Sequence, residues 1–179
     1  MQLTRARTIF GWMLDNELQW LAEQASTHRN ILEVGSFMGR STRALADNTL
    51  GTVTAVDTWA GSDEAEHKSL LEGEPPDWLF EKFQRNMGEL NNVYAVRRAS
   101  LDAAASFATA CSQFDMIFVD ASHDYENVKA DILAWAPLVA EGGLLCGHDY
   151  HLGAPGVVRA VDELLSGVQV FESIWFVTG

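Results

Sequence analysis

Basic residues are scarce in this 179-residue chain: 12 lysines and arginines face 25 aspartates and glutamates, for a formal net charge of −13. Such a chain repels phosphate backbones and anionic lipid, so a nucleic-acid or membrane partner would need a local basic patch. The best candidate, Arg97-Arg98, is too short to serve. Cysteine is scarcer still. Cys111 and Cys146 stand alone and far apart, which excludes a disulfide framework or a zinc knuckle and leaves buried structural thiols as the plain expectation. No apolar run approaches the roughly 20 residues that span a bilayer. The N-terminus has Arg5 and Arg7 before a broken apolar pattern, without the apolar core of a signal peptide, so a cytoplasmic protein is expected. Internal repeats, linkers and low-complexity segments are also missing. What remains, 47% hydrophobic and 21% charged, is an ordinary globular composition, and residues 1–179 read as one domain with a sizeable core.

The apolar pattern alternates between period 3.6 and short β-branched runs, the signature of helices alternating with parallel strands. Leu14, Leu18, Leu21 and Ala25 give a first helix one buried stripe, and strand 30–34 follows. A short helix at 40–47 leads to strand 52–56. The rhythm then breaks from Trp59 to Asp77, an insertion rich in Gly, Glu and Pro. Leu79, Phe83 and Met87 mark a helix, 93–96 a strand and 101–110 an Ala-rich helix. Residues 114–119 are apolar on both faces, as a central parallel strand should be. Tyr125, Val128, Ile132 and Trp135 stripe the next helix, with Pro137 as its stop. Gly142-Gly143 turns the chain into strand 144–146; Val157, Val161, Leu164 and Leu165 form a last helix, and 168–177 gives two closing strands around Glu172-Ser173. The fold class is therefore α/β: a Rossmann-like three-layer sandwich with a mostly parallel sheet of about seven strands and an antiparallel edge strand. That edge could pair with a second subunit, which would make a homodimer.

Gly35 and Gly39 lie between the first strand and the helix after it, where a ligand can meet the strand's carboxyl end. A dinucleotide loop needs a second glycine where this chain has Phe37, whose side chain would obstruct a pyrophosphate. The loop suits instead a small zwitterionic group held by the backbone of 35–39 and by Glu33. By itself a strand followed by G-x-x-x-G also fits a plain tight turn. Asp57, 22 positions after Gly35 and at the end of the second strand, is placed to accept both hydroxyls of a ribose. Thr58 and Trp59 sit beside it. Trp59 could stack on a purine or simply be an aromatic buried under the insertion.

These pieces together resemble class I S-adenosylmethionine-dependent methyltransferases. The likeness sharpens in the runs 117–126 (IFVDASHDYE), 142–150 (GGLLCGHDY) and 155–163 (PGVVRAVDE), which look like the small "methyltransferase 24" group. The resemblance covers about 30–165. It implies that Glu33, Gly35, Ser36 and Gly39 surround the methionine part of the cofactor, that Asp57 binds its ribose, and that Ser100 lies near adenine. The family commonly has an acidic residue just before that serine; here it is Ala99.

Asp120 and the pair His148-Asp149 follow neighbouring strands, so their side chains should emerge at the same sheet edge as the glycine loop. Two such carboxylates suit Mg²⁺ better than Zn²⁺. The resemblance extends to metal-dependent sugar and catechol O-methyltransferases, which implies a site of Asp120, Asp149 and His148, with Asp120 also beside the cofactor. His123, in a D-x-x-H pattern with Asp120, is then placed as general base. His148 fits equally well as a buried hydrogen-bonding histidine. Asp120 could instead cap the helix beginning near Asp124, though Asp124 and Ser122 can do that as well. His151 is read as splayed away, His28 and His67 as solvent-facing, and Tyr125 as core.

The expected activity is methyl transfer from S-adenosylmethionine to a hydroxyl of a small sugar-like or polyol-like acceptor, with Mg²⁺ assistance. The alternatives are a cofactor or nucleoside binding module without turnover, or metal-assisted hydrolysis or hydroxylation on the same fold. The insertion at 59–77 and the N-terminal segment are the spare chain for a lid, with Trp12, Trp59 and Trp78 as aromatic walls or as surface packing.

Overall fold

A computed structural model describes residues 1–62 and 65–178, so residues 63 and 64 of the expected lid lie outside the described part. Seven strands form one continuous sheet: β1 (Asn30–Val34), β2 (Thr52–Asp57), β3 (Val93–Arg97), β4 (Phe114–Val119), β5 (Val139–Gly147), β6 (Gln169–Phe171) and β7 (Ile174–Thr178). Their spatial order is β3-β2-β1-β4-β5-β7-β6. The first five are parallel, and β7 pairs antiparallel with both β5 and β6. The expected architecture is therefore present, with the closing hairpin forming one side of the sheet.

Among the described residues seven α-helices cover it: α1 (Asp15–Ala25), α2 (Arg40–Ala46), α3 (Ala65–Leu71), α4 (Trp78–Met87), α5 (Ser100–Thr109), α6 (Tyr125–Trp135) and α7 (Pro155–Leu164). The period-2 alternation of the strands decides which face each helix meets. Ile31, Val53, Met116 and Cys146 turn to α1 and α2, whereas Leu32, Val56, Ile117 and Leu145 turn to α5, α6 and α7. Helix α4 lays Leu79, Phe83 and Met87 against Ala55 and Trp59 on the first of these faces. Burial on both faces explains why β4 reads as apolar on both sides.

Four local expectations need correction. Leu14 is the N-cap of α1 and 58% exposed, so the buried stripe begins at Leu18. Strand β5 starts at Val139, not at 144; the glycine pair lies within it, and the register shifts between Phe114 and Met116 opposite. The insertion carries a helix of its own, α3. Cys111 is exposed and only Cys146 is buried, in the core beneath the sheet. Among the described residues no helix is long and apolar enough to cross a membrane.

Strand order reverses at β1, because β2 lies on one side of it and β4 on the other. A crevice opens at the carboxyl ends there. Gly35 leaves β1 at φ +88°, and a Cβ added to it would lie 2.0 Å from the backbone oxygen of Asp120. Only glycine allows the β1 and β4 ends to come this close. Gly35→Ala is expected to cost more than about 2 kcal/mol, the left-handed strain plus displaced backbone. Urea unfolding of the two proteins measures it.

Candidate active site

The loop after β1 is built on buried polar groups. Glu33 shares a strand face with Ile31, so its carboxylate points under α2, where it accepts a hydrogen bond from the Thr42 hydroxyl. Burial pushes its pKa up to about 7, although the nearby hydroxyls of Ser41, Thr42 and Ser36 moderate the shift. Glu33 thus underpins the loop and is wholly enclosed. Ser36 is also buried, and among the described residues neither its Oγ nor Glu33 Oε1 has a well-formed hydrogen bond. Gly39, at φ +88°, starts α2 and packs on Met87, away from open space.

Two adjoining cavities meet at Gly35, Phe37, His67, Asp120 and Ala121. The smaller, about 150 Å³, is lined by Asp57, Thr58, Arg98 and Ser100 among others. Asp57 accepts from the backbone N–H of Phe37 (2.8 Å) and of Trp59 (2.7 Å). Burial raises its pKa, and these amides work against the rise. Trp59 does not line the cavity. Its ring is fully buried against Phe80 and Phe83, and Nε1 donates to the Phe37 carbonyl at 2.8 Å, so purine stacking is replaced by core packing. Trp78 lines neither cavity, and Lys82 lies over its ring.

The larger cavity, about 640 Å³, holds the acidic and histidine cluster. His123 Nε2 donates to Asp149 Oδ2 at 2.8 Å. His148 lies behind them with both ring nitrogens facing carboxylates: Nδ1 is 3.3 Å from Asp149 and 3.7 Å from Asp120, and Nε2 is 3.2 Å from Glu17. Nε2 also lies 3.0 Å from Ser173 Oγ, which in turn donates to Glu17. Burial disfavours charge on His148, but the Asp120 charge and the hydrogen bonds to Asp149 and Glu17 prevail and push its pKa up to about 11. Asp149 is held far below the usual carboxylate range because the two histidines outweigh burial. Burial, with the Asp149 charge, pushes Asp120 up to about 6 against the pull of His148 and His123. Asp124 caps α6 through Asn127 N–H (3.1 Å), so Asp120 is not needed as a cap.

A family model described as a methyltransferase domain matches residues 32–150, about two thirds of the chain. The chain belongs to the methyltransferase-24 family. No curated protein matches it in sequence. Among solved structures it is similar to an O-methyltransferase from Bacillus cereus in complex with SAH, at 19% identity and TM-score 0.67, covering 97% of this chain and 86% of that one. It is also similar to the cofactor-bound Rv0187 from MTB, at 18% and 0.68, covering 97% and 85%. A third is the apo TDP-rhamnose 3'-O-methyltransferase CalS11 of calicheamicin biosynthesis, at 14% and 0.62, covering 90% and 76%.

In this methyltransferase, then, Gly35, Ser36, Asp57, Thr58, Ser100 and Asp120 border the two adjoining cavities, with Glu33 and Gly39 supporting the loop from outside them. Asp120, His123 and Asp149 each offer one ligand atom within 4.8 Å of the others. His148 is not part of that group, since its nitrogens are committed to ion pairing. His67 is a further correction: it stacks on Phe37 at 4.9 Å, leans on Trp12 at 5.1 Å and lines both cavities. His28 is half-buried, with Nδ1 2.7 Å from the Gln24 carbonyl. His151 stays near Asp149, 3.4 Å away, at the cavity rim.

Glu17 went unnoticed in the sequence because it sits among exposed helix polar residues; its position three after Leu14, whose N–H it accepts at 2.8 Å, was the available signal. Its carboxylate is buried, and the bonds from His148 and Ser173 hold its pKa at about 2 against burial. The pair ties α1 to the ends of β5 and the β6–β7 turn. A lowered carboxylate pKa stabilises above 4.5 and loses that contribution as pH falls towards 2; a raised histidine pKa stabilises below 6.5 and loses it as pH rises towards 11. The melting temperature is therefore expected to decline on the alkaline side, and His148→Gln to flatten that decline. Thermal melts from pH 5 to 10 on both proteins check this.

Proposed function

We propose that this methyltransferase transfers the methyl group of S-adenosylmethionine to a hydroxyl of a small molecule, with His123 as general base. The observation that carries the reading is the 2.8 Å bond from His123 Nε2 to Asp149, inside the cavity that adjoins the cofactor loop. The bond orients the imidazole at the cavity, as a group that takes the hydroxyl proton must be held. The cofactor's adenosine would occupy the smaller cavity, with its ribose at Asp57 and its methionine end at Gly35 and Ser36. Ser36 Oγ, buried at the cavity wall without a well-formed bond among the described residues, fits such a polar group. When bound, the cofactor supplies an electrophilic methyl on a sulfonium, and the carboxylates of Asp57 and Asp120 favour that positive charge.

The protein's contribution is positioning and proton removal. Arg40 fastens the N-terminal segment over the site by donating to the carbonyls of Ile9 (2.9 Å) and Met13 (3.2 Å). This sets Trp12, 49% exposed, in the lining of the larger cavity. An aromatic face beside polar groups suits a sugar or polyol acceptor, the class on which the TDP-rhamnose enzyme acts by its name.

The grouping of Asp120, His123 and Asp149 favours a second reading, in which a divalent cation is held there. Two carboxylates fit Mg²⁺, and an imidazole widens the choice to Mn²⁺. Such an ion would supply Lewis-acid activation of the acceptor hydroxyl. The protonated His148 behind the carboxylates opposes a further positive charge, so the histidine-base reading leads. A rise in melting temperature with Mg²⁺ or Mn²⁺, reversed by chelator, would favour the ion.

Calorimetry should find binding of S-adenosylhomocysteine to the wild-type protein. Asp57→Ala is expected to weaken it by about tenfold or more, as a lost charge-assisted hydrogen-bond pair implies. Failure of the folded wild type to bind either S-adenosylmethionine or S-adenosylhomocysteine would sink the proposal. Once an acceptor is found by screening, His123→Ala should lower kcat by about 10²–10⁴ while leaving cofactor affinity within about twofold.

A further inference from the structure

Ser100, which lines the smaller cavity, is bound on two sides. Its Oγ accepts from Trp135 Nε1 at 2.8 Å and donates to Asp131 Oδ1. Asp131 comes from α6 and is 5% exposed, with its carboxylate behind Ser100. A hydroxyl has one proton to give and two lone pairs. Here the proton is committed to a carboxylate and one lone pair to an indole, so what Ser100 has left is a single acceptor position. The residue before it, Ala99, has no polar side chain.

We infer that Asp131, by holding the Ser100 proton, makes the base-binding end of the smaller cavity an acceptor that selects a 6-amino purine over a 6-oxo purine. The inference rests on the cofactor reading above and goes beyond it, because it assigns base discrimination to a buried residue on α6 that does not line the cavity. An exocyclic amine donates to the remaining lone pair. A 6-oxo group would place acceptor against acceptor, and Ser100 could not turn its proton outward without leaving the Asp131 carboxylate unpaired in a buried place, which is costly. Burial raises the Asp131 pKa to about 6, so the carboxylate is ionised at neutral pH and able to hold that proton. Asp131 is thus a positioning residue, and Ser100 the group that meets the base.

The test compares S-adenosylhomocysteine with S-inosylhomocysteine by calorimetry at pH 7.5. The wild type should bind the adenine compound at least about tenfold more tightly, the effect of one lost hydrogen bond in a buried site. Asp131→Leu, similar in size and free of the buried charge, releases the Ser100 hydroxyl to donate or accept, and the preference should fall to within about threefold. Ser100→Ala should remove it as well, by deleting the group that reads the base. A purely structural role for Asp131 would weaken both ligands alike and preserve their ratio, and that result overturns the inference. Equal wild-type affinities overturn it too, while leaving the cofactor reading intact. Binding of neither compound by the wild type would sink the cofactor reading, and this inference with it.

Discussion

Glu17, Asp120 and Asp149 reach one point from three parts of the chain, and the charge of His148 is what lets them share it. Three carboxylates gathered in a partly buried crevice would repel one another and take up protons. With His148 within 3.7 Å of all three, two of them are held well below the usual carboxylate range. Asp120, the farthest, stays close to neutral pH at about 6. The same imidazole therefore does structural and chemical work. Through Glu17 and Ser173 it docks the first helix and the closing hairpin; through Asp149 it borders the group that holds His123.

The arrangement also resolves how so short a chain closes a cavity. The sheet and its helices use most of the residues, and the covering comes from two borrowed pieces. The N-terminal segment is held down by Arg40 from the first turn of α2, next to the cofactor loop. The insertion contributes His67, whose ring stacks on Phe37 of that loop. Phe37 thus has two consequences. It stands where a dinucleotide loop would have its second glycine, and it joins the loop to both covering pieces, with Trp12 5.0 Å away.

Much of this was legible in the sequence. The alternation of apolar periods located every strand, because a strand buried on two faces and a helix buried on one leave different patterns. The glycine loop, Asp57, Asp120 and His148-Asp149 were legible for a related reason: topology fixes where a residue just after a parallel strand must emerge. Boundaries failed where tertiary pairing overrode local signals. The glycine pair at 142–143 reads as a turn, yet it lies within β5, in the irregular stretch between the pairs Phe114–Val139 and Met116–Leu144. For Trp59 the sequence left two readings, a purine-stacking ring or an aromatic buried under the insertion, and the core offered by Phe80 and Phe83 decided for the second.

What the sequence determined by itself is the order of elements, the place of the glycine loop after the first strand and the set of acidic and histidine side chains at one edge of the sheet. These follow from periodicity and chain order, which are local properties. Only the tertiary structure decided which histidine does what. His123 and His148 lie 25 positions apart and carry the same side chain. One meets Asp149 at an open cavity, and the other is enclosed among three carboxylates. That difference depends on Glu17 arriving from a helix more than a hundred residues away, and on Asp131 and Trp135 reaching Ser100 from across a helix interface. No local pattern encodes such meetings, because they arise from packing whole elements on the sheet.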